Sequence, residues 1–87
     1  MELELELHQL VKVSYSNLYE STVYFGIVEM IGIEKSKDTG FVQFIAKVIF
    51  PDKHKNLHLT CYDCKIIKNF GLLDLDTIIQ KYPEYLI

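Results

Sequence analysis

From Thr22 to Glu34 the chain is β-branched, aromatic or aliphatic with few breaks, and after the polar stretch Ser36, Lys37, Asp38, Thr39 and Gly40 the same character resumes from Phe41 to Phe50. Two such runs flanking a short polar turn predict a hairpin of long strands. Gly26 and Gly32 interrupt the first run where a long strand needs a bulge or sharp bend, so this strand is expected to curl. In the second run Val42, Phe44, Ala46, Val48 and Phe50 form one continuous apolar face, while Phe41, Gln43, Ile45, Lys47 and Ile49 form a mixed one. That pattern belongs to a central strand, ended by Pro51 and Asp52.

The rest of the chain adds strands on either side. The opening MELELELH alternates strictly, with Leu3, Leu5 and Leu7 on one side and Glu2, Glu4, Glu6 and His8 on the other, which predicts a strand. Glu and Leu also favour helix, and Leu3, Leu7 and Leu10 have helical spacing, so the helical alternative stays open. Leu10 to Tyr15 either extends this strand or forms another after an irregularity near His8 and Gln9. Ser14, Ser16 and Asn17 mark a polar loop before Leu18 and Tyr19. Past Pro51 the pattern predicts a loop through Asn56, a strand from Leu57 to Tyr62, a tight turn at Tyr62, Asp63 and Cys64, and a brief last strand from Lys65 to Asn69. The period then changes. Leu75, Ile78, Ile79 and Tyr82 fall at i, i+3, i+4 and i+7, Asp74 is placed to cap, and Pro83 stops the run, which predicts one helix over about 75–82. Its apolar stripe is expected to cover an opening or edge of the sheet.

Composition bounds what such a chain can do. Eighty-seven residues, 49% of them hydrophobic, leave room for one core and one domain over 1–87, in which a deep enzymatic cleft would compete for the same residues. No apolar run approaches the ~20 residues that span a bilayer, so no membrane association is expected. Acidic residues stand where a signal peptide needs basic ones, so the chain reads as cytoplasmic. All nine cations are Lys, the net charge is −3, and the absence of Arg removes the bidentate fork used on phosphate and guanine. Nucleic acid is therefore a disfavoured partner. The same bias toward Ile, Lys, Asn and Tyr also fits an AT-rich coding genome, bacterial or phage.

The middle of the chain resembles the SH3-like small β-barrels, the Tudor and KOW domains among them. The resemblance rests on a bent strand with an internal Gly (Val23 to Ile33), a polar hairpin, and a central strand ending in Val48, Ile49, Phe50, Pro51 and Asp52. A further short strand and a one-turn segment at Tyr62 to Cys64 then lead into Lys65, Ile66 and Ile67. It covers about 50 of the 87 residues at the level of pattern, and no family motif matches residue by residue. It implies a mainly β fold, a small antiparallel barrel of five to six strands with one short C-terminal helix, that binds a peptide, a protein surface or nucleic acid and carries no catalysis. The chain departs from ligand-binding members in lacking Trp and a compact aromatic cluster.

Four soft-metal ligands, His54, His58, Cys61 and Cys64, lie within eleven residues, and a Cys pair two residues apart is a common zinc half-site. No cofactor is expected, and a structural zinc on these four residues is the alternative. On a strand, however, His58 and Cys61 point to opposite faces, and the plainer reading makes Cys61 a core residue, Cys64 the plug of a turn, and both His solvated. A thiol-redox enzyme would need a thiolate at a helix N-terminus beside a βαβ unit, and none precedes this pair. A nucleophilic Cys served by His58 and Asp63 finds no oxyanion site in so small a barrel.

Two surfaces remain as candidate protein contacts. Glu2, Glu4 and Glu6 would form a carboxylate row about 6.8 Å apart along a strand, near two nucleotide rises, as an acidic DNA-mimic inhibitor of a host protein would need. The plainer reading is the wet face of an edge strand. Tyr82, Tyr85 and Leu86 make an aromatic, apolar C-terminus that either folds back on the barrel or docks a partner, self-association included. The sequence thus points first to a non-enzymatic protein-binding module of the kind a phage or mobile element encodes. The DNA mimic and a zinc-stabilised module are the alternatives.

Overall fold

A computed structural model describes residues 5–32 and 43–86, with side chains through Glu84. Five antiparallel strands form one sheet: β1 (Leu10–Ser16), β2 (Ser21–Ile31), β3 (Phe44–Phe50), β4 (His58–Thr60) and β5 (Cys64–Gly71). A 3₁₀ turn at Asp52–His54 links β3 to β4, and helix α1 (Leu75–Lys81) and a second 3₁₀ turn at Pro83–Leu86 follow β5. The order across the sheet is β4-β3-β2-β1-β5, so β2 lies in the middle with β3 and β1 on either side, an interior place that suits the apolar and mixed faces of β3.

The sheet is strongly rolled. Laid flat, the four steps from β4 to β5 would separate its edges by about 19 Å. Three residues suffice to join Thr60 at the end of β4 to Cys64 at the start of β5, and the Cys64 thiol donates to the Thr60 carbonyl at 3.4 Å. The edges therefore meet at one corner. They do not zip together: no ladder joins β4 to β5 among the described residues, so the expected closed barrel is corrected to a rolled, open sheet. The curl begins in β2, whose pairing with β3 shifts register between Phe25 and Gly26 and again between Val28 and Met30. At Gly26 a Cβ would stand 3.0 Å from the Lys47 carbonyl oxygen, which makes the close approach of β3 a glycine requirement.

Alternation along the strands fills both faces. The inner face buries Val11, Val13, Tyr24, Val28, Phe44, Ala46, Val48 and Leu59, and Cys61, Cys64 and Ile66 pack against them. The outer face carries Leu10 and Phe25, sealed by Ile78 of α1 with Ile27, Ile49, Phe50, Phe70 and Leu75 around them. Helix α1 thus lies against the outer face rather than over an opening or edge. The mixed face of β3 supplies part of the reason, because Ile49 gives the helix something apolar to cover. The helix starts where its cap predicts: the Asp74 carboxylate accepts the Thr77 N–H at 2.7 Å.

At the N-terminus residues 1–4 lie outside the described ones, the expected strand is absent at 5–8, and the other expectation, a new strand after an irregularity near His8 and Gln9, is the one found. Glu6 precedes a turn at Leu7 and His8 instead of lying in a strand. His8 takes a positive φ of 69°, the Gln9 side chain accepts the Glu6 N–H at 2.8 Å, and β1 begins afresh at Leu10. Leu5 packs on the inner core and Leu7 stays half exposed, so the alternation does not continue as one face. β5 is longer than expected and β4 shorter.

Candidate docking site around Tyr62

The corner where the two sheet edges meet is tied by Thr60, Tyr62 and Asp63. The Asp63 carboxylate accepts both the Thr60 N–H and the Thr60 hydroxyl at 3.0 Å. The Thr60 hydroxyl oxygen accepts the Tyr62 N–H at 3.2 Å, and the Thr60 carbonyl accepts the Asp63 N–H at 2.9 Å. A turn tied this way holds Tyr62 outward, 77% exposed. The Tyr62 hydroxyl is reached by the Gln43 amide at 3.4 Å.

Tyr62 is the common wall of two open recesses. One, of about 280 Å³, is mainly apolar, with Met30, Phe44, Ile45 and Cys61 among its walls. The other, of about 340 Å³, is mainly polar, lined by Ser14, Ser16, Asp63, Cys64 and Lys65. An apolar slot beside a polar one, sharing an aromatic ridge, fits an extended chain that presents unlike side chains to each. A second protruding feature stands on the β1–β2 loop. The Asn17 side chain accepts the N–H groups of Tyr19 and Glu20 at 2.8 Å, an Asx-type turn that leaves Leu18 95% and Tyr19 93% exposed.

The four residues weighed as zinc ligands are not brought together. His54 lies edge-on to the Tyr24 ring with centroids 5.3 Å apart. His58 points the other way, its Nε2 3.1 Å from a Glu29 carboxylate oxygen. Cys61 and Cys64 face the inner core. Among the described residues no group of three or more His, Cys, Asp or Glu side chains is arranged to hold a metal ion. Burial first, then the charges of Asp63 and Cys61, push the Cys64 thiol from 9.0 up to about 11, so it stays a thiol at neutral pH.

The two candidate protein contacts fare differently. Glu2 and Glu4 lie outside the described residues, and Glu6 is exposed just before a turn and not in a strand. Tyr82 is the C-cap residue of α1 and is 40% exposed. Tyr85 and Leu86 lie on the final 3₁₀ turn, and their side chains are outside the described set. Sequence reasoning located the Tyr62 turn but not its recesses, whose walls come from residues as far apart as Ser14 and Lys65. No described helix is long and apolar enough to cross a membrane. Comparison with family models, curated proteins and solved structures found no match to this chain.

Proposed function

We propose that the chain is a non-enzymatic protein-binding module that takes an extended segment of its partner across the Tyr62 ridge. An apolar side chain enters the recess walled by Met30, Phe44 and Ile45. The next polar group lies toward Ser14, Ser16 and Lys65. The observation that carries this reading is the pairing of an apolar with a polar recess on one hydrogen-bonded turn. Held protonated by its surroundings, Cys64 favours a binding role for this corner over a thiol reaction. The resemblance to SH3-like barrels draws support from the meander β1 to β4 whose last strand, β5, returns to pair with β1.

The test is selection of a random peptide library on the full chain and on Tyr62→Ala. The wild type is expected to enrich peptides with an apolar residue beside a polar one, and Tyr62→Ala to lose that enrichment with an unchanged thermal melt. Peptides that bind both proteins equally would place docking elsewhere.

A further inference from the structure

At the tip of the β1–β2 loop Leu18 and Tyr19 stand almost wholly in water, and an exposed Glu20 follows them. Single apolar residues on a surface are ordinary; two large ones side by side on a protruding tip, with Tyr62 on a neighbouring turn, are not. The tip is tied at its base, since the Asn17 side chain holds the Tyr19 and Glu20 N–H groups and the Asn17 N–H donates to the Glu20 carbonyl at 2.9 Å. Loop and recesses share one end of the sheet. Ser16 pairs with Ser21 at the foot of the loop and also lines the polar recess, while Ser14 and Tyr15 pair with Lys65 and Cys64 beside the Tyr62 turn. The tip is too exposed to be filling the recesses of its own chain.

The two features match in chemistry. Leu18, Tyr19 and Glu20 present an apolar group, an aromatic ring with a polar end, and an acid. On either side of the Tyr62 ridge stand the apolar walls of Met30 and Ile45, the hydroxyls of Ser14 and Ser16, and Lys65. Neither Glu20 nor Lys65 has an ion-pair partner among the described residues, so each has a charge to offer another molecule. The apolar recess, of about 280 Å³, falls short of the roughly 300–1,000 Å³ of small-molecule sites and suits a single side chain.

We propose, resting on the docking reading above, that the segment taken across the Tyr62 ridge is the tip formed by Leu18, Tyr19 and Glu20 of a second copy of this chain. Leu18 of each copy enters the apolar recess of the other, Tyr19 lies over the polar recess with its hydroxyl toward Ser14 and Ser16, and Glu20 meets Lys65. Because tip and recesses sit at the same end, two copies related by a two-fold axis can make both contacts at once, and the assembly closes as a dimer instead of growing into a filament. The contact is small and its ion pairs lie at the rim. The dimer is therefore weak, with a Kd of about 0.01–1 mM, and loosens as salt rises.

Sedimentation equilibrium of the full chain over about 10 µM to 1 mM is the test. The wild type is expected to pass from monomer to dimer, and Leu18→Asp and Tyr62→Ala to stay monomeric with unchanged thermal melts. Glu20→Lys and Lys65→Glu each set like charges against one another in both contacts, so each alone should raise the Kd about tenfold or more. Mixed together, these two variants restore both ion pairs, and the mixture should dimerise about as well as the wild type. A wild type that stays monomeric, a dimer that ignores Leu18→Asp or Tyr62→Ala, or charge variants that do not recover on mixing overturns the proposal. A monomeric wild type that still enriches peptides through Tyr62 overturns the self-partner alone and leaves the docking reading intact. If the peptide selection fails as well, both fall.

Discussion

On its inner face the sheet buries eight side chains that four of its own strands bring together, whereas on its outer face Leu10 and Phe25 are sealed by one side chain, Ile78, from a seven-residue helix. The inner core forms when the strands pair. The outer core needs a helix too short to hold itself, since isolated helices under about 12–15 residues are marginal in water. Helix α1 is therefore helical because it is docked, and the outer side should be the first to open.

The largest effect tests whether the two sides share a keystone. Phe25 is 1% exposed, stacks on Phe70 with centroids 6.0 Å apart and meets Phe50 edge-on. Phe25→Ala should cost about 3–5 kcal/mol, a large part of the stability of a chain this size. Chemical denaturation checks it. A loss under 1 kcal/mol would mean that the outer side contributes little to global stability.

A matched pair then separates the sides. Leu59→Ala on the inner face and Ile78→Ala on the outer face remove comparable groups, each within the range of about 2–5 kcal/mol for buried Leu and Ile. Leu59→Ala should lower hydrogen-exchange protection throughout β1–β3. With Ile78→Ala the amides of Leu75–Lys81 should lose protection while those of β1–β3 keep most of theirs. Equal loss everywhere would make the two cores one cooperative unit and erase the distinction.

How far these features could be read from the sequence follows the same division. The curl of β2 was announced by Gly26, the interior position of β3 by its apolar and mixed faces, and helix α1 by Asp74 and the spacing of Leu75, Ile78 and Ile79. These are local signals, set by periods of 2 and 3.6. The N-terminal alternation does not run on as a strand through 5–8, because hydrophobic period says nothing of where a chain turns, whereas the irregularity expected near His8 and Gln9 is present. The left-handed backbone of His8 and the Gln9 side-chain bond end the pattern there. Sheet closure and the Tyr62 recesses were illegible for another reason. Both depend on how far the sheet rolls, which brings Ser14, Gln43 and Lys65 around one turn and has no local signature.

A smaller effect comes from the Cys64 thiol, held up at about 11 against 9.0 chiefly by burial and next by Asp63 and Cys61. A thiol whose folded pKa exceeds its unfolded one adds stability that is complete below the unfolded value and lost as pH rises through the folded one. Denaturation midpoints should thus fall between about pH 9 and 11, and the fall should be shallower in Cys64→Ser. Identical slopes in the two proteins would show that the inner core does not feel this group.

The smallest effect probes the fastening of the outer side. Hydrogen bonds from Thr77, side chain first and then backbone, hold the Asp74 carboxyl below the usual carboxylate range, with slight burial opposing them. A lowered folded pKa adds stability that is present above the unfolded pKa and disappears as pH falls through the folded one. Acid should therefore loosen α1 before the strands, read as exchange protection at Leu75–Lys81 against that of β1–β3. Asp74→Asn keeps a capping oxygen that does not titrate, so the acid limb should flatten while the helix stays capped at neutral pH. Asp74→Ala removes the oxygen and should weaken the helix at every pH. If the acid response survives in Asp74→Asn, the outer core is being opened by another carboxylate, with Asp76 in the first helical turn the next to replace.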